Sequence, residues 1–169
     1  MLNLCSDNEG PIAPKILESI VEANIGFAHS YGEDKLTRQL REVFSELFER
    51  EVEVFPVVTG TAANALALGH VTPPYGAIYC TSHAHILVDE CGAPGFFSGG
   101  ASMVTVNSTQ GKIDSNDFQN LVDNWGAHGD HEPKPYVLSV TQTTEVGTLY
   151  TIEEILMLSQ LAHQRDMII

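Results

Sequence analysis

Residues 59–65 read Thr59-Gly60-Thr61-Ala62-Ala63-Asn64-Ala65, a knot of very small side chains that carries two hydroxyls. A Phe- and Val-bearing run, Phe55-Pro56-Val57-Val58, enters it, and an Ala-rich segment leaves it. This predicts a corner where a strand gives way to a helix. The first turn of a helix offers backbone N–H groups with no intrahelical partner and a partial positive charge. Together these bind anions. Gly60 lets a ligand approach the backbone, the hydroxyls of Thr59 and Thr61 add donors, and the alanines keep the helix close. The chemistry such a corner can do is to cradle a phosphate. The pattern is neither GxxxxGK[ST] nor GxGxxG, and the same residues also suit an ordinary strand–turn–helix corner.

The elements that must position this corner follow from periodicity. Ala13–Asn24 reads as a helix with Gly26 as its stop. Leu36, Leu40, Val43, Phe44, Leu47 and Phe48 share one helical face, and Glu33 and Asp34 stand where the helix dipole favours anions. Strands are expected at Val52–Val58, Ala77–Cys80, Ser102–Val106, Tyr136–Thr141 and Met167–Ile169. Helices are expected between them at Ala62–Leu68, Ile86–Ala93, Ser115–Asn124 and Ile152–Arg165, the last opened by a Thr151/Glu154 capping box. Alternation of this kind predicts an α/β fold with a mostly parallel sheet and crossover helices. Residues 125–135 read as a loop between a helix and a strand.

Composition narrows the function classes. The chain has 169 residues, 43% of them hydrophobic, and a net charge of −14. Length suggests one domain. The charge argues against nucleic acid, whose phosphates attract Lys and Arg, and against anionic membrane surfaces. Cys5, Cys80 and Cys91 show no zinc spacing and read as reduced thiols of a cytosolic protein, so no metal is expected. No apolar run approaches the roughly 20 residues of a membrane span, and the N-terminus lacks the basic region of a signal peptide. The expected localisation is cytoplasmic.

Several short motifs fall in a telling order: Ser6-Asp7, Tyr31-Gly32-Glu33-Asp34, Thr59-Gly60-Thr61-Ala62-Ala63-Asn64, His85-Ile86 with Glu90 and Gly92 behind it, and His131 leading into LSVTQTTEVGTLYTIEEI. On these the chain resembles the threonine aldolase / β-eliminating lyase family, pyridoxal-phosphate enzymes with the aspartate-aminotransferase-like fold. The resemblance implies a three-layer α/β/α domain, the large domain of that fold. It implies pyridoxal 5'-phosphate as cofactor, a β-hydroxy-α-amino acid as substrate, and a homo-oligomer.

By the same resemblance, Thr59, Gly60, Thr61 and the Ala62 N–H form the phosphate turn, and His85 stacks on the pyridine ring. An imidazole is flat and moves protons near neutral pH, so His85 is also a catalytic candidate. His131 is a candidate base for the substrate's β-hydroxyl. Glu90 is a third catalytic candidate, expected to support the site from behind or to be a surface charge. In a continuous helix it would lie about 140° from His85. Ser6 is expected on the substrate carboxylate, and Tyr31 in the site wall, often of the partner subunit. One of Gln142, Thr143 and Thr144 is expected at the ring hydroxyl, Gln142 and Thr144 being the nominated pair. The family's commoner pattern there is Glu-Asn-Thr-His, from which this sequence departs.

The family also needs a Schiff-base lysine and a carboxylate on the pyridinium nitrogen. Lys15, Lys35, Lys112 and Lys134 match no such position. The chain therefore reads as residues 1–169 of a longer large domain, with 1–34 a helix-and-loop segment and the small C-terminal domain absent. Such a chain by itself is expected to be a weak binder with little activity. The expected parent reaction is cleavage of threonine to glycine and acetaldehyde. Two other readings stay open: another lyase acting on a β leaving group, and a non-catalytic binder of a phosphate ligand.

Overall fold

Strand β1, Gly76–Thr81, is buried along its whole length, as a strand covered on both faces must be. Its side chains alternate. Ala77 and Tyr79 join one core cluster with Val106, Phe118, Leu138 and Leu158. Ile78 and Cys80 join a second, with Leu68, Ile86 and Val137. The period of two therefore places a separate apolar layer on each face of the sheet.

These features come from a computed structural model that describes residues 9–169. The chain divides at Pro56/Val57 into two compact units. In the first unit, α1 spans Pro14–Ala23 and α2 spans Lys35–Leu47. Asp34 caps α2: its carboxylate accepts from the Thr37 N–H at 2.9 Å and from the Thr37 hydroxyl at 2.6 Å. Those bonds hold its pKa below the usual carboxylate range. Arg41 pairs with Glu51 and, at 3.0 Å, with Glu53. No described residue of this unit is buried.

The second unit holds the sheet. Helix α3 is Gly60–Val71, α4 is His85–Val88 and α5 is Ala93–Phe97. Strand β2 is Ser102–Val106. A short hairpin follows, β3 at Ser108–Thr109 and β4 at Lys112–Ile113. Helix α6 is Ser115–Asp123, β5 is Lys134–Leu138 and α7 is Ile152–His163. The sheet order is β2-β1-β5, and both pairings are parallel. Ile168 extends the sheet past β5 through a parallel bridge to Val137. Leu68 of α3 lies in the cluster on one face, and residues of α6 and α7 in the cluster on the other, which gives the expected α/β/α layering. Phe118 of α6 meets Tyr79 of β1 edge-on, ring centroids 5.9 Å apart.

Gly76 starts β1 because nothing larger fits. A Cβ there would stand 2.7 Å from Thr72 Cγ2 and 2.9 Å from Tyr136 Cδ2. The capping box at Thr151 and Glu154 is present, and Glu154 also takes the Lys112 ammonium at 2.7 Å. Among the described residues no helix is long and apolar enough to cross a membrane.

Two expectations need correction, and one element was not foreseen. Val52–Val58 forms no strand: it crosses the boundary between the units, Pro56 carries no N–H, and Phe55 and Val58 lie exposed. The helix expected at Ile86–Ala93 is broken: α4 ends at Val88, where Asp89 leaves helical geometry, and Cys91 and Gly92, at φ of 50° and 75°, lead into a second helix from Ala93. The β3–β4 hairpin was not expected. Its turn, Gln110-Gly111, has positive φ at both residues, the geometry that favours a two-residue hairpin.

Candidate active site

Helix α3 begins where a phosphate could meet it. Thr59 is extended at φ −146°, ψ 157°, and its hydroxyl accepts from the Ala62 N–H at 3.1 Å. The Ala63 N–H bonds the Thr59 carbonyl at 3.1 Å. The amides of Gly60 and Thr61 and the Thr61 hydroxyl have no partner among the described residues. A Cβ on Gly60 would meet nothing within 4 Å, so the approach to those amides is open. The Ala62 amide, expected as a third phosphate donor, is instead taken by Thr59. The Thr59 hydroxyl proton remains free to donate. The donor set is therefore two amides and two hydroxyls at the positive end of a helix dipole, which suits an anion.

His85 opens α4, just past the carboxyl end of β1, where parallel sheets bind ligands. Its Nδ1 lies 2.9 Å from Glu90 Oε1. Asn64 of α3 donates through Nδ2 to the same oxygen at 2.7 Å. Glu90 is fully buried while the His85 side chain is 46% exposed, so the imidazole keeps an open face. The second carboxylate oxygen, Oε2, is buried without a partner among the described residues. Glu90 was expected on a different face from His85. The helix stops at Val88, and the chain turns through Asp89 to bring the carboxylate back beneath the ring.

Electrostatics follow from this contact. The hydrogen bond to Glu90 raises the His85 pKa above its usual value. Desolvation opposes it, and the charges of Glu90, Glu145 and Asp89 add to the rise. Glu145 belongs to the segment after β5, so that segment reaches the same end of the sheet. It lines a small crevice with Thr81, His83, Ser139 and Thr144.

Gln142 and Thr144 hold the turn that borders that crevice. The Gln142 amide is spent on Tyr150: its Oε1 accepts the Tyr150 N–H at 2.9 Å, and its Nε2 donates to the Tyr150 carbonyl at 3.3 Å. The Thr144 hydroxyl lies 2.7 Å from that of Thr148 and accepts the Thr148 N–H at 3.1 Å. Both residues expected on the cofactor make these contacts within the turn. Thr143 is exposed and has no partner among the described residues.

Of the other expected residues, His131 falls apart from this cluster. His131 is exposed and precedes Lys134, which pairs with Gly76 at the amino end of β1. In a parallel sheet that is the edge opposite His85, about 20 Å away along a six-residue strand. Tyr31 sits in the first unit, fully exposed at φ 61°. Ser6 lies outside the described residues. Lys112 is committed to Glu154, and Lys134 lies over the Tyr136 ring, 5.5 Å from its centroid. The only hydrogen-bond partner of His83 among the described residues is Ser82, at 3.2 Å.

The sequence reading gave Asn64 no role. Its signal was an amide in an otherwise small-residue helix, one turn past Gly60.

The family model described as Beta-eliminating lyase matches residues 3–169. The chain belongs to the β-eliminating lyase family. It is 39% identical over 150 residues to the low specificity L-threonine aldolases of Pseudomonas aeruginosa and of a second Pseudomonas species. Each alignment covers 89% of this chain and 43% of the relative. The chain therefore spans less than half the length of these curated relatives. A solved structure of Leishmania major threonine aldolase superposes with a TM-score of 0.86 at 27% identity, covering 94% of this chain and 46% of that one. The three-layer, mostly parallel architecture is the one this family member shares with that aldolase.

Proposed function

We propose that this β-eliminating lyase family member serves a low-specificity threonine aldolase reaction, the pyridoxal-phosphate-dependent cleavage of a β-hydroxy-α-amino acid to glycine and an aldehyde. One observation carries the reading. The Asn64–Glu90–His85 contacts, 2.7 and 2.9 Å long, tie the helix with the free Gly60 and Thr61 amides to the exposed imidazole. A phosphate-bearing aromatic ring is the ligand class that would use both.

The amides of Gly60 and Thr61, with the hydroxyls of Thr59 and Thr61, would hold the phosphate. The open face of His85 would cover the ring. Pyridoxal phosphate bound there would supply an electron sink for the bond that breaks at the substrate's α-carbon. With Nδ1 engaged by Glu90, Nε2 of His85 would be the ring atom that could hold or move a proton there. A role for His131 on the β-hydroxyl would need a site other than the one on its own chain. Ser6 and Tyr31 remain proposed substrate contacts. The same reading takes the protein as cytoplasmic and homo-oligomeric, supported by the exposed apolar side of α1, at Ile16, Leu17, Ile20 and Val21.

A cofactor titration tests the reading. Pyridoxal phosphate should bind saturably and be displaced by inorganic phosphate, and pyridoxal without the phosphate should bind at least tenfold more weakly. Equal binding of the two would overturn it. Which bond breaks is read from the products of threonine. Glycine with acetaldehyde marks aldol cleavage, and 2-oxobutanoate with ammonia marks elimination.

A further inference from the structure

Asn64 sits one turn into α3, on the helix whose first amides are free. Its carboxamide does not reach those amides. It reaches Glu90, 26 residues away in sequence, at 2.7 Å. An ionised carboxylate only accepts hydrogen bonds. Glu90 Oε1 thus receives two donors, Asn64 Nδ2 and His85 Nδ1, and its partner oxygen receives none among the described residues. A carboxylate with no exposed surface has few ways to stay in place. The Asn64 amide supplies one of its two anchors.

We propose that Asn64 is a positioning residue for His85: by clamping the buried Glu90 carboxylate, it fixes the imidazole through Nδ1 and sets ring and phosphate turn as one unit. The inference deepens the reading of His85 as the ring-side residue and rests on it, but its test needs no cofactor.

The charged groups that bear on the imidazole are Glu90, Asp89 and Glu145. Asn64 is neutral, so replacing it adds no charge beside the ring and acts on the ring's titration through Glu90. A purely space-filling Asn64 would leave that titration alone. This separates positioning from packing.

The experiment is NMR of the purified protein with 15N-labelled histidine and asparagine, compared with Asn64→Leu and Asn64→Ala. In the unaltered protein the His85 Nδ1–H should show the downfield shift and slow exchange of a carboxylate-bonded donor. In the variants that signal should be lost, and the His85 midpoint should fall toward the ordinary value of 6.5. A folded variant whose His85 curve superimposes on that of the unaltered protein overturns the proposal. Should both variants fail to fold, the unaltered protein decides. There the Asn64 side-chain NH2 signals should be protected from exchange and should shift with the same midpoint as His85; signals that exchange freely or ignore that midpoint overturn it. Cofactor titration of the same samples reports separately on the functional reading, so the two can fail independently.

Discussion

His85 and Glu90 meet at 2.9 Å across a break in the helix, one half in solvent and the other without exposed surface. The contact exists because α4 ends at Val88 and the chain leaves helical geometry at Asp89, the residue before Glu90. Five residues of sequence thereby become a buried anion under an accessible imidazole. Its consequences are electrostatic, and pH should expose them.

The folded-state pKa of His85 is raised, so the folded protein binds its proton more tightly than the unfolded chain does. The stability from this contact is fully present below the ordinary value of 6.5 and is lost as the pH rises through the raised folded value. Glu90→Gln removes the charge at constant volume. The melting temperature of the unaltered protein should exceed that of the variant most at acidic pH, and the gap should narrow as pH climbs. A gap that stays constant across the window would contradict the charged contact.

The Thr59 cap should behave as a local helix anchor. Thr59→Ala removes the acceptor of the Ala62 N–H and should cost about 1 kcal/mol in urea unfolding. Thr59→Ser should restore nearly all of it. Equal stability of all three proteins would show that the cap does not form.

Gln142 separates bracing from binding. Gln142→Leu strips both partners from the Tyr150 backbone and should destabilise by about 2 kcal/mol. Cofactor affinity measured below the melting transition should change less than twofold. A tenfold loss of affinity at unchanged stability would return Gln142 to the ligand.

Phe118 is fully buried between the sheet and α6. Phe118→Ala should cost about 3–5 kcal/mol through lost burial and the cavity left behind. Phe118→Leu should cost clearly less. Chemical denaturation followed by tyrosine fluorescence can report both, since Tyr79 is the ring's neighbour.

The sheet was legible in the sequence because its central strands are apolar runs bounded by Gly and Pro. Ser102–Val106 fell where expected, residue for residue. The Val52–Val58 run looked the same in composition but pairs with no strand, since a strand exists only through its neighbours. In the candidate site, the small residues at Thr59–Ala62 announced an anion corner, because helix ends obey local rules. Which amides stay free did not follow, since Thr59 could cap the helix or face outward. Glu90 was misjudged for a different reason. Angular spacing assumes a continuous helix, and this one ends at Val88, two residues before Glu90. The separation of His131 from His85 is topological: it depends on β5 running parallel to β1, which no single motif announces.

The most direct measurement follows backbone amide and imidazole signals during one titration with pyridoxal phosphate. If the α3 amino terminus and His85 hold a single molecule, the Gly60 and Thr61 amides and the His85 ring should shift together, with one dissociation constant and a stoichiometry of one. Inorganic phosphate should move the two amides and leave the ring nearly still. Ring shifts without amide shifts, or two unrelated dissociation constants, would contradict a shared site.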